Sequence, residues 1–207
     1  MMSFISLLRH GEVKGGACFR GRQDDPLSDL GWQQMHAACQ EHDFWDVVIT
    51  SPLQRCAAFA HSFAEQYNLP VEQDKRLAEI DFGDWEGCSA SQLMEQHPDQ
   101  LSNFWRDPIN NPPPNGETLN HFQQRVISAW QQLNQRHVEK RILLVTHGGV
   151  IRMLLCHLQQ RPLSSLMEQE VKYAALFHLL IEHDRIAHLF SSKDDVLAWL
   201  PKSGVLS

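Results

Sequence analysis

Two apolar runs, far apart in the chain, each end at a histidine followed by glycine. Phe4 to Leu8 is almost wholly apolar and stops at Arg9-His10-Gly11; Ile142 to Val145 stops at Thr146-His147-Gly148-Gly149. A short continuous apolar run bounded by turn residues suits a strand buried on both faces, as in a parallel sheet. Open parallel sheets bind ligands beyond the C-terminal ends of their strands. A chain that brings a cation and an imidazole to one such end, and a second imidazole to another, is confined to few architectures. Gly11 is expected to let the chain turn sharply and a ligand approach the backbone.

The remaining elements alternate in the same sense. Val47 to Thr50 reads as a buried strand and Val71 to Gln73 as a short one. A helix is expected from about Leu30 to His42, capped by Ser28 or Asp29. Ser51-Pro52 predicts an N-cap with proline at the first helical position, the helix running on through Leu53 to Tyr67. Shorter helices fit Ser89 to Gln96 and Asp99 to Arg106. Asp107 to Gly116 is a loop by composition. In Thr118 to Gln135, the residues Leu119, Phe122, Val126, Ile127, Trp130 and Leu133 share one helical face. A further helix covers about Gly149 to Leu158. Ala174 to Ile181 and Ile186 to Phe190 flank Glu182 to Arg185 as a hairpin. The expected fold class is α/β: three layers, a mainly parallel sheet with helices on both faces and an antiparallel edge, in a single domain 1–207.

Composition narrows the partners. The formal net charge of -7 and the lack of a basic stripe argue against nucleic acid. No apolar run approaches the roughly 20 residues of a membrane span, and no signal peptide is apparent. Five scattered cysteines without a C-x-x-C suggest reduced thiols, as in a cytoplasmic protein. The oligomeric state is not legible.

Three strand ends carry equipment for an anion. The first has Arg9 and His10. The second runs into Ser51-Pro52-Leu53-Gln54-Arg55, which puts Arg55 in the first turn of a helix. The third has His147 and Gly148 before another helix. Helix N-termini present free N–H groups, so both turns are expected to hold an anion. Two guanidiniums, two imidazoles and backbone donors suit a phosphoryl group, whose transfer depends on positioning and charge neutralisation. The cysteine-phosphatase signature and aspartate-rich metal sites are absent, which leaves histidine as nucleophile. Expelling an alkoxide needs a proton, and Glu79 and Asp81 are the candidate acids.

Arg9-His10-Gly11, Ser51-Pro52-Leu53-Gln54-Arg55, Glu79 and Thr146-His147-Gly148-Gly149 resemble the blocks of the histidine phosphatase, or phosphoglycerate mutase-like, superfamily, in its order and spacing. The resemblance implies His10 as the residue phosphorylated, Arg9, Arg55, His147 and Gly148 around the phosphoryl oxygens, and Glu79 as proton donor. It implies no metal and no cofactor. Glu79 to Gly87 is similar to the E-x-x-F-G-x-W-E-G of the phosphatase branch. Gly16 to Gly21, Asp25-Pro26-Leu27 and Pro114 to Thr118 resemble the α-ribazole-5'-phosphate phosphatases. Gly16 departs from a family asparagine that helps bind phosphate, with Arg20 or Arg22 as substitutes, and Phe59 departs from a helix threonine. Phe82, Trp85 and Trp105 are either core or contacts beside the leaving group of a small phosphorylated metabolite, and Glu117 either lines the substrate mouth or enters the first turn of its helix. A broad-specificity phosphatase, a sugar bisphosphatase, a mutase or a non-catalytic phospho-ligand module are the alternatives.

Overall fold

Both apolar runs are central strands. The computed structural model describes residues 2–40, 44–182, 185–190 and 195. Its strands are β1 (Met2–Arg9), β2 (Val47–Thr50), β3 (Val71–Gln73), β4 (Arg141–Thr146), β5 (Leu176–Glu182) and β6 (Arg185–Phe190). Its helices are α1 (Asp29–Ala38), α2 (Gln54–Gln66), α3 (Ala90–Gln96), α4 (Pro98–Arg106), α5 (Leu119–Arg136) and α6 (Gly148–Leu158). The sheet order is β3-β2-β4-β1-β5-β6. β3, β2, β4 and β1 pair in parallel, whereas β5 and β6 extend the sheet antiparallel from β1. The α/β architecture read from the sequence, with its antiparallel edge hairpin, is the one observed.

Strand alternation builds the core. Phe4 and Leu8 pack under α1 and α2 with Met35, Phe59 and Phe63. Ile5 and Leu7 face the other way, under α5 and α6, with Val126, Trp130, Ile151 and Leu154. Period-two exposure of a buried strand to both faces makes this a three-layer fold. A third cluster, Trp85, Leu93, Leu101 and Phe104, fills the excursion between β3 and α5.

Three expectations are corrected. α2 begins at Gln54 with Leu53 as its N-cap, and there is no side-chain capping bond because a leucine side chain has no acceptor; Ser51 stands two residues too early and is shared between His147 and the Leu53 N–H. Gly11 is required by packing: a Cβ there would lie 2.2 Å from the carbonyl oxygen of Gly31 in α1. The first helix ends at Ala38, with Ser28 as its cap; its expected end at His42 lies outside the described residues. So do the hairpin tip at 183–184 and, apart from Asp195, the chain beyond residue 190 over which a single domain was expected to continue.

Candidate active site

β1, β2 and β4 are neighbours, so their C-terminal ends lie side by side. Register pairs Arg9 with Thr146 and Thr50 with Val145, and the His10 N–H donates to the Thr146 carbonyl at 2.9 Å. The His10 and His147 rings therefore meet with centroids 5.3 Å apart. Sheet geometry alone brings together two residues separated by most of the chain.

The hydrogen bonds of His10 define its tautomer. Nδ1 lies 2.8 Å from the Gly11 carbonyl oxygen, which can only accept. Nδ1 therefore carries the proton, and Nε2 keeps its lone pair. Burial lowers the His10 pKa well below its ordinary value, with Arg55 and Arg9 adding to the effect. His147, fully buried, is lowered in the same direction by burial first, then by Arg55 and His10. Its Nε2 lies 2.7 Å from Ser51 Oγ, which also accepts the Leu53 N–H at 3.3 Å. Cys56 Sγ is 3.6 Å from the same imidazole nitrogen, but burial drives its thiol far above its ordinary range. It is a packed neutral thiol rather than a nucleophile.

The two arginines share one peculiarity. Arg55 is 1% exposed; its Nη1 and Nη2 donate to the carbonyls of Gln23 and Gly21, each at 2.7 Å. Arg9 donates through Nη1 to Val171 O at 2.6 Å and lies 4.2 Å under the ring of Tyr173. In both, Nε is buried and has no hydrogen-bond partner among the described residues. An unpaired buried donor costs about 1–3 kcal/mol, so such atoms call for an explanation, and a bound acceptor is one.

Glu79 stands at the same place. Its Oε2 accepts the Gly149 N–H at the start of α6 (3.0 Å), and its Oε1 accepts its own neighbour's N–H, that of Ile80 (3.0 Å). Glycine at 149 leaves room for this carboxylate, since a Cβ there would fall 2.2 Å from Glu79 Oε1 and push it aside. At Gly148 the same atom would come 3.3 Å from Arg9 Nε. The free helix ends expected from the sequence are thus each met by a carboxylate: α6 by Glu79, and α2 by Asp24, whose Oδ1 accepts the Gln54 N–H at 2.6 Å. Asp81, the rival acid, is occupied in its loop, with Oδ1 accepting the Gly83 N–H at 2.8 Å.

The expected substrate contacts find other partners. Arg20 turns inward, paired with Asp25 and donating to the carbonyls of Lys14 and Gly16. Its charge adds to the lowering of His10. Arg22 is exposed, and only its backbone N–H is engaged, by Glu86. Gly16 has φ +78° and open space around a would-be Cβ; Phe59 is core. Trp85 is buried in the satellite core against Phe19 and Phe104, so it has no face for a ligand, and Phe82 packs on that cluster. Trp105 stands exposed on α4. Glu117 is withdrawn from any mouth, since its Oε1 and Oε2 accept from Arg125 Nε and Nη2, each at 2.7 Å, and Oε1 also meets His121.

The sequence reading missed Arg125 and Tyr173. Arg125 borders the apolar stripe of α5, and a cation beside such a stripe is the one signal it offered. Tyr173 lies in no motif, yet its ring is 5.8 Å from that of His10.

Comparison with known proteins agrees with this geometry. The sequence profile of the histidine phosphatase superfamily (branch 1) matches residues 5–192. The adenosylcobalamin/alpha-ribazole phosphatase of Escherichia coli (strain K12) is 30% identical over 165 residues, covering 77% of this chain and 81% of its own. Phosphoserine phosphatase 1 of Hydrogenobacter thermophilus is 30% identical over 158 residues, covering 74% and 75%. Among solved structures, Bacillus stearothermophilus YhfR superposes with a TM-score of 0.83 at 29% identity, over 90% of this chain and 95% of its own.

Proposed function

Because the chain belongs to the histidine phosphatase superfamily, branch 1, and is a phosphoric monoester hydrolase, we propose that it works through a phosphohistidine on His10. Nε2 of His10 attacks phosphorus; the P–N bond forms as the ester P–O bond breaks, and Glu79 gives its proton to the departing oxygen. Glu79, now a carboxylate, takes a proton from water. That water attacks phosphorus, the P–N bond breaks, and inorganic phosphate leaves with His10 and Glu79 restored. Arg9, Arg55, His147 and the backbone at Gly148 hold the phosphoryl oxygens, where developing charge is best met by preorganised donors. One observation carries the reading: a histidine with a free Nε2 lone pair feels the charge of two arginines whose buried Nε–H groups have no acceptor among the described residues. These cations supply the charge that a metal supplies elsewhere, so the reaction needs none.

Protein mixed with substrate and quenched in alkali carries an acid-labile phosphate, which is absent in His10→Ala. A wild-type protein that turns over without ever becoming labelled overturns the covalent route. A protein that binds phosphate without hydrolysing p-nitrophenyl phosphate is a binding module.

For the substrate, α-ribazole 5'-phosphate is the proposal, supported by the loop motifs and by the Escherichia coli relative. The intact enzyme should give a higher kcat/KM for it than for 3-phosphoglycerate. Trp105, the one large ring of the expected set left exposed, should change that ratio by no more than ~10-fold when replaced by alanine, the limit for one stacking contact. Equal values for the two substrates would reduce the assignment to a broad-specificity phosphatase, and phosphate moved between positions of 3-phosphoglycerate would make it a mutase.

A further inference from the structure

Between β3 and the aromatic loop, the chain from residue 76 to 79 has no strand partner: β3 stops at Gln73, and a 3₁₀ turn covers Lys75–Leu77. Three of its four carbonyls are met by one side chain, and the fourth, that of Leu77, accepts from Thr146 Oγ1 of β4 at 2.9 Å. Arg125 Nη1 donates to the carbonyls of Arg76 and Ala78, each at 2.7 Å, and Nη2 donates to the carbonyl of Glu79 at 2.9 Å. Nε and the second Nη2 hydrogen reach the two oxygens of Glu117 at 2.7 Å. A guanidinium has five N–H donors in a fixed planar fork, and here all five are engaged.

Glu117 orients that fork in turn. Its own N–H donates to the Asp81 carbonyl at 2.8 Å, and its side chain is 5% exposed beside the 11% of Arg125. Burial works against its charge, but the hydrogen bonds and charge of Arg125 prevail and lower its pKa. Glu79 is thereby gripped twice, by its backbone through α5 and by its carboxylate at the Gly149 N–H of α6.

We propose that Arg125, with Glu117, is the positioning residue of the acid: it sets where the Glu79 carboxyl stands relative to the ester oxygen, without touching substrate. This rests on the reading of Glu79 as proton donor. An alkoxide needs that proton, whereas p-nitrophenolate leaves almost unaided, so the ratio of kcat/KM for glycerol 2-phosphate to kcat/KM for p-nitrophenyl phosphate, which excludes the hydrolysis step shared by both esters, reports on the acid alone. A lysine at 125 keeps the charge but has three donors and no planar fork.

The experiment measures this ratio in wild type, Glu79→Gln, Arg125→Lys and the double variant. Glu79→Gln should lower it by about 10²-fold or more. Arg125→Lys should lower it by about tenfold or more, and the double variant should fall no further than Glu79→Gln, since the two substitutions act on one proton transfer. Equal losses on both esters in Arg125→Lys, or a double-variant ratio equal to the product of the single effects, would overturn the proposal and leave Arg125 a fold residue. An unchanged ratio in Glu79→Gln would instead remove the acid assignment itself. If Arg125→Lys does not fold, Glu117→Gln decides. It keeps the carbonyl bonds and weakens only the fork, so a ratio lowered severalfold supports the proposal and an unchanged ratio overturns it.

Discussion

The site has two halves built by different means. The phosphoryl half stands on the ends of β1, β2 and β4: His10, Arg55 and His147 are each 5% exposed or less, fixed by sheet register. The leaving-group half is loop, without a sheet ladder, and is held by side chains: Arg125 on the carbonyls of Arg76, Ala78 and Glu79, Thr146 on that of Leu77, and Glu86 on the N–H groups of Arg22 and Phe82. The comparison shows where rigidity comes from. In the proposed mechanism, backbone ladders position the groups that meet every phosphate ester alike, and a buried charged pair positions the one group whose importance depends on what is leaving.

Removing the nucleophile should have the largest effect and spare no substrate. His10→Ala should lose on the order of 10⁴–10⁶-fold in kcat on aryl and alkyl esters equally, as when a covalent nucleophile is deleted elsewhere. A loss confined to alkyl esters would erase the division between the halves. Next comes the acid: Glu79→Gln should slow alkyl phosphates ~10²–10⁴-fold and p-nitrophenyl phosphate far less, while Asp81→Asn does less to both. If the two variants exchange behaviours, the acid is Asp81.

Gly149 is the point where the halves touch. In Gly149→Ala the new Cβ would meet Glu79 Oε1, 2.2 Å away in the present geometry, and push the carboxyl aside. Displacement of about 1 Å can cost ~10²-fold, and here the loss should fall mainly on alkyl esters. A uniform loss would mean that α6 itself had moved.

Acid stability separates the buried half from its surroundings. His10 and His147 have lowered pKa values in the fold, whereas in the unfolded chain each titrates near ~6.5. Below that pH the unfolded chain binds more protons, so stability falls with falling pH, by up to ~1.4 kcal/mol per pH unit for each histidine. Asp46, Asp74 and Glu117 are also lowered and act in the same sense, but only through the carboxylate range further down. Melting temperature should therefore decline between about pH 6.5 and 5, and His10→Asn should flatten that decline. A flat wild-type curve would contradict the burial argument. The smallest expected effect is that of chelation: activity in excess EDTA should be unchanged, and loss restored by one divalent ion would mean that the arginines do not suffice.

Much of this was legible without coordinates. Short continuous apolar runs bounded by turn residues suit strands buried on both faces, so β1, β2 and β4 followed from the residue pattern, and in a parallel sheet their polar ends converge at one edge. His10, Arg55 and His147 lie together as expected because each follows the end of one of these strands in sequence. The apolar stripe Leu119, Phe122, Val126, Trp130, Leu133 likewise declared α5. Tertiary structure alone decided how hydrogen bonds were shared out between distant segments. Ser51 looked like a helix cap, but it meets His147 and the Leu53 N–H without being the cap; Trp85 read as core or substrate contact and is core; Glu117 read as a mouth or first-turn residue and holds Arg125. Periodicity records which face a residue prefers, since burial of apolar area depends on the residue's own chemistry. It is silent on which of several donors reaches an acceptor, because that depends on where the chain returns, and only the folded backbone sets those distances.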